Sequence, residues 1–145
     1  MTKLLVRAIL PRDSDAVAGL SAQLGYPATT GDIQQRLASI QGNPQHGVFV
    51  AEQDGVVAGW IHVQGQLSLE SGACAEITGL VVDPGCRRGG VGRALVEQAL
   101  RWAAAQQLPR VRVRSNVTRV ESHVFYPALG FALKKTQHTY ELVLR

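Results

Sequence analysis

Apolar positions along the chain follow two periods, one of about 3.6 residues and one of 2, and the switch between them marks the elements. Residues 4–9 form a short apolar run stopped by Pro11, which reads as a strand. Asp13 or Ser14 caps a helix that runs to about Leu24, with Ala16, Val17, Leu20 and Leu24 on one face. Gly25, Tyr26 and Pro27 end it, and Thr30 caps a second helix carrying Ile33, Leu37 and Ile40 at helical spacing. The period then shortens. Residues 47–52 and 56–63 read as strands joined by the hairpin turn Asp54-Gly55. Residues 73–82 are a longer strand, in which Gly79 points to a bulge or a close backbone approach. Residues 90–106 are the strongest helix, burying Val91, Leu95, Ala99 and Trp102. A short strand at 111–114, a helix at 117–129 that tolerates Pro127 near its end, and strands at 131–134 and 139–144 complete the pattern. Strands and helices alternate between residues 73 and 114, whereas the other strands pair as hairpins. The pattern predicts an α/β (α+β) fold: a mixed, mostly antiparallel sheet covered by helices, containing one parallel βαβ unit.

Composition narrows the class. A chain of 145 residues predicts a single domain, 1–145, with a core large enough to need no disulfide or metal. The hydrophobic fraction of 46% and charged fraction of 18% are those of an ordinary globular protein. There is no run of about 18 apolar residues to span a membrane, and the N-terminal apolar run is broken by Arg7 too early for a signal peptide, so a cytoplasmic protein is expected. Cys74 and Cys86 are too few for a disulfide framework and show no metal spacing. The four histidines, His46, His62, His123 and His138, are isolated in sequence. Two reduced thiols and no metal site are expected.

The net charge is +4, and the excess is local. Arg87, Arg88, Arg93, Arg101, Arg110, Arg112, Arg114 and Arg119 lie in one stretch whose sole acid is Glu97, which suggests an anionic partner. Nucleic acid is disfavoured, because interleaved aromatics, zinc spacing and a helix-turn-helix cue are all missing. A phosphorylated small molecule fits better, because the arginines surround a glycine turn. A helix start carries unpaired N–H groups and about half a positive charge. Glycines let such a backbone approach phosphate oxygens, and arginines add charge-assisted bonds. A nucleoside-triphosphate loop fails here because Gly92 is followed by Arg93-Ala94 instead of Lys-Ser/Thr. A dinucleotide fingerprint fails because Leu95 stands where a third small residue belongs and Arg112 and Arg114 where an acid is expected. Residues 87–93 therefore read as a pyrophosphate cradle, the bland alternative being a glycine-rich turn with solvated arginines.

Pro84-x-x-Arg87-x-x-Gly90-x-Gly92-x-x-Leu95, following a strand that ends in Leu80-Val81-Val82, resembles the coenzyme A loop of the GNAT superfamily of N-acetyltransferases. Residues 122–131, SHVFYPALGF, resemble the family's second signature, an aromatic followed four residues later by Gly-Phe. The departures are Cys86 in place of an aromatic, Arg88-Gly89 in place of glycine and a base, and Ser122 in place of alanine. The resemblance implies a sheet flanked by about four helices, with acetyl-coenzyme A held where two parallel strands splay, here 78–82 and 111–114. It implies a pyrophosphate site at Arg87, Arg88, Gly89, Gly90, Val91, Gly92 and Arg93. The pantetheine arm would pair with the backbone of Leu80, Val81 and Val82, with Asn116 as a further contact. A bulge at Gly79 would aim an N–H at the thioester oxygen.

The implied activity is transfer of acetyl to a primary amine of a small molecule or a protein, by direct attack in a ternary complex. Glu76 is the candidate base that frees the amine, and Tyr126 the candidate acid that protonates the leaving thiolate. Trp60 and His62 would floor the acceptor pocket, while Trp102 and His123 are read as structural. The scattered acids Glu52, Glu70, Glu76 and Glu121 do not favour a polycationic acceptor such as an aminoglycoside. No membrane or nucleic-acid partner is expected, and late strands in such folds pair across homodimers. A non-catalytic acyl-coenzyme A sensor or interaction module is the competing class, in which Glu76 and Tyr126 are structural. The two roles separate on one substitution: Tyr126→Phe is expected to lower kcat with little change in coenzyme affinity, measured by steady-state kinetics and calorimetry.

Overall fold

The computed structural model describes residues 3–86, 89–115 and 120–145, in two compact units, Met1–Val113 and Arg114–Arg145. The first unit holds a five-stranded sheet in the order β1 (Leu4–Ala8), β2 (His46–Gln53), β3 (Val56–Ser68), β4 (Gly72–Val82) and β5 (Val111–Val113). All neighbours pair antiparallel except β4 and β5, which are parallel. Three helices belong to this unit: α1 (Ser14–Gln23), α2 (Thr30–Ile40) and α3 (Val91–Ala105). The mixed, mostly antiparallel sheet with a single parallel pair is the one the hydrophobic pattern predicts.

Local chemistry explains where the elements begin and turn. Asp54 and Gly55 sit at φ 52° and 84°, the left-handed pair that a tight hairpin between right-twisted strands requires. The N-cap of α2 is Thr29, one residue before the expected Thr30. Thr29 Oγ1 accepts the Asp32 N–H and the Asp32 carboxylate accepts the Thr29 N–H, each at 3.0 Å, because Thr29 and Asp32 have the three-residue spacing of a capping box. β3 runs five residues beyond the expected end at Val63, since Gln64–Ser68 find partners in the start of β4.

Each face of the sheet buries a different set of helices. On one face α3 presents Val91, Leu95, Val96 and Ala99, all fully buried, at spacings that put them on one helical stripe. A Cβ on Gly59 of β3 would meet the Val81 carbonyl at 2.8 Å and Leu95 and Val91 at 3.1 and 3.2 Å, so glycine there lets the start of α3 sit directly on the sheet. Gly47 plays the same part for Trp102, whose indole lies 2.8 Å from the position of a Gly47 Cβ. On the opposite face Val17 of α1 and Leu37 of α2 pack with Ile9 and Val50, flanked by Val48 and Trp60.

The second unit contains α4 (Val120–Ala128). Its C-terminus closes by two bonds, Gly130 N–H to the Pro127 carbonyl at 3.0 Å and Phe131 N–H to the Tyr126 carbonyl at 3.1 Å, with Gly130 at φ 97°. This pair of bonds is the Schellman closure, and it accounts for a glycine four residues after Tyr126. The expected start of this helix at Val117 lies outside the described residues. Strands were expected at 131–134 and 139–144, but residues 131–145 carry no helix or strand. Tyr140, Leu142 and Leu144 alternate as a strand would, yet alternation sets only a side-chain period. A strand forms where another backbone pairs with it, and among the described residues no ladder takes up this segment.

One ion cluster ties the first strand to the start of α1. The Arg7 guanidinium donates to both oxygens of Asp13 at 2.8 and 2.9 Å and to Glu52. Asp13 is almost fully buried and also accepts the Leu10 N–H at 2.7 Å. Arg7 holds the Asp13 carboxyl below its ordinary value. Because the native pKa lies below the unfolded one, this stabilisation is complete above the unfolded value of 3.8 and is lost as pH falls through the native value. Arg7→Met leaves Asp13 buried without its counter-charge and is expected to cost about 3 kcal/mol at pH 7. In thermal melts this should appear as a fall in Tm of roughly 10 °C, with the gap between variant and parent closing in strong acid.

Candidate active site

The parallel ladder is short. Ala75, Glu76 and Ile77 pair with Val111, Arg112 and Val113, and there it stops, while β4 continues to Val82. Among the described residues no ladder pairs Thr78–Val82 on the β5 side, which leaves a notch along β4. Leu80, Val81 and Val82, expected to line a ligand arm, lie along this notch on β4.

The register between β3 and β4 shifts by one residue at this level: Val63 opposes Ile77, but His62 opposes Gly79. Thr78 is thus the extra residue of a bulge, and its hydroxyl donates to the His62 carbonyl at 3.3 Å. The bulge expected from Gly79 is present, though Gly79 is glycine for a further reason. A Cβ there would meet the Trp60 ring at 2.8 Å. Trp60 Nε1 is the one buried side-chain nitrogen or oxygen left without a hydrogen bond among the described residues.

Beyond the C-terminal end of β4 the chain makes a 3₁₀ turn, Pro84–Cys86, and enters α3. Gly90 is the N-cap, at φ 79°, and among the described residues no side chain caps the helix. Gly89 is held by a bond from its N–H to the Cys86 carbonyl at 3.1 Å. Val91 and Gly92 are buried in the first turn, so their side-chain positions face the sheet. The uncapped start leaves first-turn N–H groups available to an anion, aided by the helix dipole. Arg93 pairs with Glu97 at 3.0 Å on the exposed side of α3. Arg87, Arg88 and Asn116, expected to contact the same ligand, lie outside the described residues.

On the face that carries Trp60, the register places a row of polar side chains directly beyond the bulge. His62, Gln64 and Gln66 of β3 share this face with Glu76 of β4, since Gln64 opposes Glu76 and Gln66 opposes Cys74. Glu76 is buried, 6% exposed. Its Oε1 accepts from Arg112 Nε at 2.8 Å and its Oε2 from the Gln66 amide at 3.2 Å, while Arg112 Nη2 donates to Gln66 Oε1 at 2.8 Å. One guanidinium thus spans β5, β4 and β3. His62 Nε2 lies 2.9 Å from His46 Nδ1. Burial first, and the neighbouring His46 second, push His62 down to about 4, so it is neutral at pH 7. A cleft of about 300 Å³ opens past Arg112, lined also by Gln66, Ser68, Ser71 and Cys74.

Tyr126 lies on α4 in the second unit, its ring edge-on to Phe125 and Phe131 at centroid distances of 5.0 and 5.6 Å. Both cysteines are free, Cys74 buried and Cys86 partly so. Among the described residues no group of three or more His, Cys, Asp or Glu side chains could hold a metal ion, and no described helix is long and apolar enough to cross a membrane.

Glu76, Gly79, Gly90 and Gly92 stand out in the sequence, but their partners do not. Arg112 lies within a basic stretch, and His46 is isolated along the chain. Both become neighbours of the notch through strand register, which no local motif encodes.

Comparison with known proteins gives a consistent picture. The family model described as "Acetyltransferase (GNAT) family" matches residues 18–131. A mycothiol acetyltransferase of Streptomyces avermitilis is 32% identical over 143 residues, covering 93% of this chain and 45% of the relative. The chain thus spans less than half the length of that relative. The fold superposes on glucosamine-6-phosphate N-acetyltransferase from Arabidopsis thaliana with a TM-score of 0.83 at 21% identity, covering 97% of this chain and 99% of that one. An aminoglycoside N-acetyltransferase in complex with coenzyme A gives 0.88 at 19% identity, covering 98% and 96%.

The Trp60–Gly79 contact yields a direct test of the notch. Gly79→Ala forces the indole away and is expected to destabilise the protein by about 1–3 kcal/mol. The displacement should also shift the intrinsic tryptophan fluorescence, whereas Gly85→Ala, with its nearest neighbour 3.4 Å away, should change neither.

Proposed function

The chain belongs to the GNAT acetyltransferase family, and from this we propose that residues 1–145 work as one N-acetyltransferase domain that uses acetyl-coenzyme A to acetylate a primary amine. The observation that carries the reading is the early end of the β4–β5 ladder at Ile77–Val113, with an uncapped, glycine-led helix start at the far end of the same strand. A pantetheine amide chain has the donors and acceptors to pair with the free edge at Leu80, Val81 and Val82. A diphosphate suits the N–H groups of Gly90, Val91, Gly92 and Arg93, with Gly89 keeping the loop open and Arg87 and Arg88 adding charge. Asn116 is a further contact for the arm.

Acetyl transfer then follows from simple charge accounting. The neutral amine attacks the thioester carbonyl carbon, the carbon–sulfur bond breaks, and the thiolate leaves with the electron pair. Glu76 takes a hydrogen bond from the incoming amine and orients it. The proton released as the amide forms ends on the thiolate, and Tyr126 is proposed to deliver it. The N–H groups beside the Thr78 bulge stabilise the oxyanion that forms between these steps. The names of the relatives, which include mycothiol and glucosamine-6-phosphate acetyltransferases, favour a small-molecule acceptor over a protein. A cytoplasmic location and a homodimer complete the proposal.

Two measurements decide it. Wild-type protein should release free thiol from acetyl-coenzyme A when offered primary amines. Gly90→Val, which forces a branched residue into a left-handed backbone, should weaken coenzyme A binding at least about tenfold by calorimetry while the far-ultraviolet spectrum stays native. Tight coenzyme binding without turnover across a broad amine panel would favour the sensor instead.

A further inference from the structure

We propose that Gln53, the last residue of β2, is a further coenzyme ligand whose side-chain amide donates to the diphosphate at the start of α3. This rests on the coenzyme-binding half of the transferase reading. It adds a contact from a strand that lies outside the glycine turn.

The turn spends donors on itself. Gly85 N–H donates to Asp83 Oδ1 at 2.9 Å, Cys86 N–H to the Asp83 carbonyl at 2.8 Å and Gly89 N–H to the Cys86 carbonyl at 3.1 Å. Among the described residues, the backbone donors left for an anion are those of the first turn of α3. Arg93 is engaged with Glu97. A diphosphate presents oxygens on more than one side, and a helix start reaches it from one.

Gly89 shows where a second set of donors comes from. Unlike Gly90, it does not sit at positive φ, so its backbone conformation does not demand glycine. Space does. A Cβ on Gly89 would lie 3.1 Å from Gln53 Nε2 and 3.4 Å from the Cys86 carbonyl oxygen. The side chain that Gly89 lacks leaves the room that the glutamine amide occupies.

The stem of Gln53 is fixed by its neighbours. Its backbone pairs with Leu4 on one side and Val56 on the other. The next residue is pinned too: Asp54 N–H donates to the Lys3 carbonyl and Lys3 N–H to Asp54 Oδ1, both at 2.9 Å. Gln53 is half-buried, and among the described residues its amide has no hydrogen-bond partner. A primary amide carries two N–H donors and no charge. It can therefore stand close to a glycine backbone and still give a phosphate oxygen charge-assisted bonds.

Dissociation constants of the wild-type chain, Gln53→Ala and Gln53→Glu decide the matter, by calorimetry for coenzyme A and dephospho-coenzyme A and by competition for pantetheine. Gln53→Ala should weaken coenzyme A by about 10- to 100-fold, the range of a hydrogen bond to a charged group. Gln53→Glu should weaken it further, because a carboxylate brings like charge to the phosphates. Dephospho-coenzyme A keeps the diphosphate and should lose as much. Pantetheine has no phosphate and should lose nothing. Gly89→Ala, which displaces the amide, should weaken coenzyme A in the parent and add little on top of Gln53→Ala. Unchanged coenzyme A affinity in Gln53→Ala overturns the proposal and leaves the transferase reading standing. A loss shared equally by pantetheine, or one confined to the 3′-phosphorylated coenzyme, does the same. A wild-type chain that binds no coenzyme A overturns both.

Discussion

Thr78 stands opposite no residue of β3 in the register, and the arrangement of the candidate site depends on that. A strand presents alternate residues to alternate faces, so Glu76 and Gly79, three apart, would ordinarily point to opposite sides of the sheet. The extra residue between them resets the alternation and places both on the face shared with Trp60 and His62. It also coincides with the level at which β5 stops pairing, one residue earlier at Ile77. A carboxylate, a bulge and an open strand edge are thereby brought within one turn of the chain. Without the insertion, Leu80 instead of Gly79 would share a face with Glu76, and the Trp60 ring would have no glycine to lie against.

The same arithmetic governs the histidines. A two-residue turn at Asp54-Gly55 pairs Gln53 with Val56, and uninterrupted pairing would set His46 against Val63, on the face away from His62. The register instead shifts between Ala51 and Glu52, so that Val48 opposes His62 and His46 opposes Gln64. Two side chains that look unrelated in the sequence thus come within hydrogen-bonding distance. A one-residue slip exchanges the faces of everything beyond it.

Legibility in the sequence follows this division between local and non-local information. The helices over Ser14–Gln23, Thr30–Ile40 and Val91–Ala105, the hairpin at Asp54-Gly55 and the glycine-led turn into α3 were all readable, because each is decided by neighbours within a few residues. Bulges at Thr78 and between Ala51 and Glu52 were not, apart from the hint at Gly79, because a strand's own residues do not count those of its partner. The Arg112–Glu76–Gln66 bridge joins positions up to 46 residues apart and inherits that uncertainty. The tail was misjudged for the complementary reason: residues 139–144 carry the period of a strand, but a ladder needs a second backbone, and that is not written in the segment itself.

Cys74 opposes Gln66 in the register, on the same face as Glu76, with 2% of its surface accessible. Its shielding depends on the end of the β3–β4 hairpin staying closed, and β5 contributes just three residues to that closure. The thiol is therefore a built-in reporter. Its rate of alkylation measures how often this end of the sheet opens, separately from global unfolding, and any molecule that settles in the adjoining cleft will slow that clock.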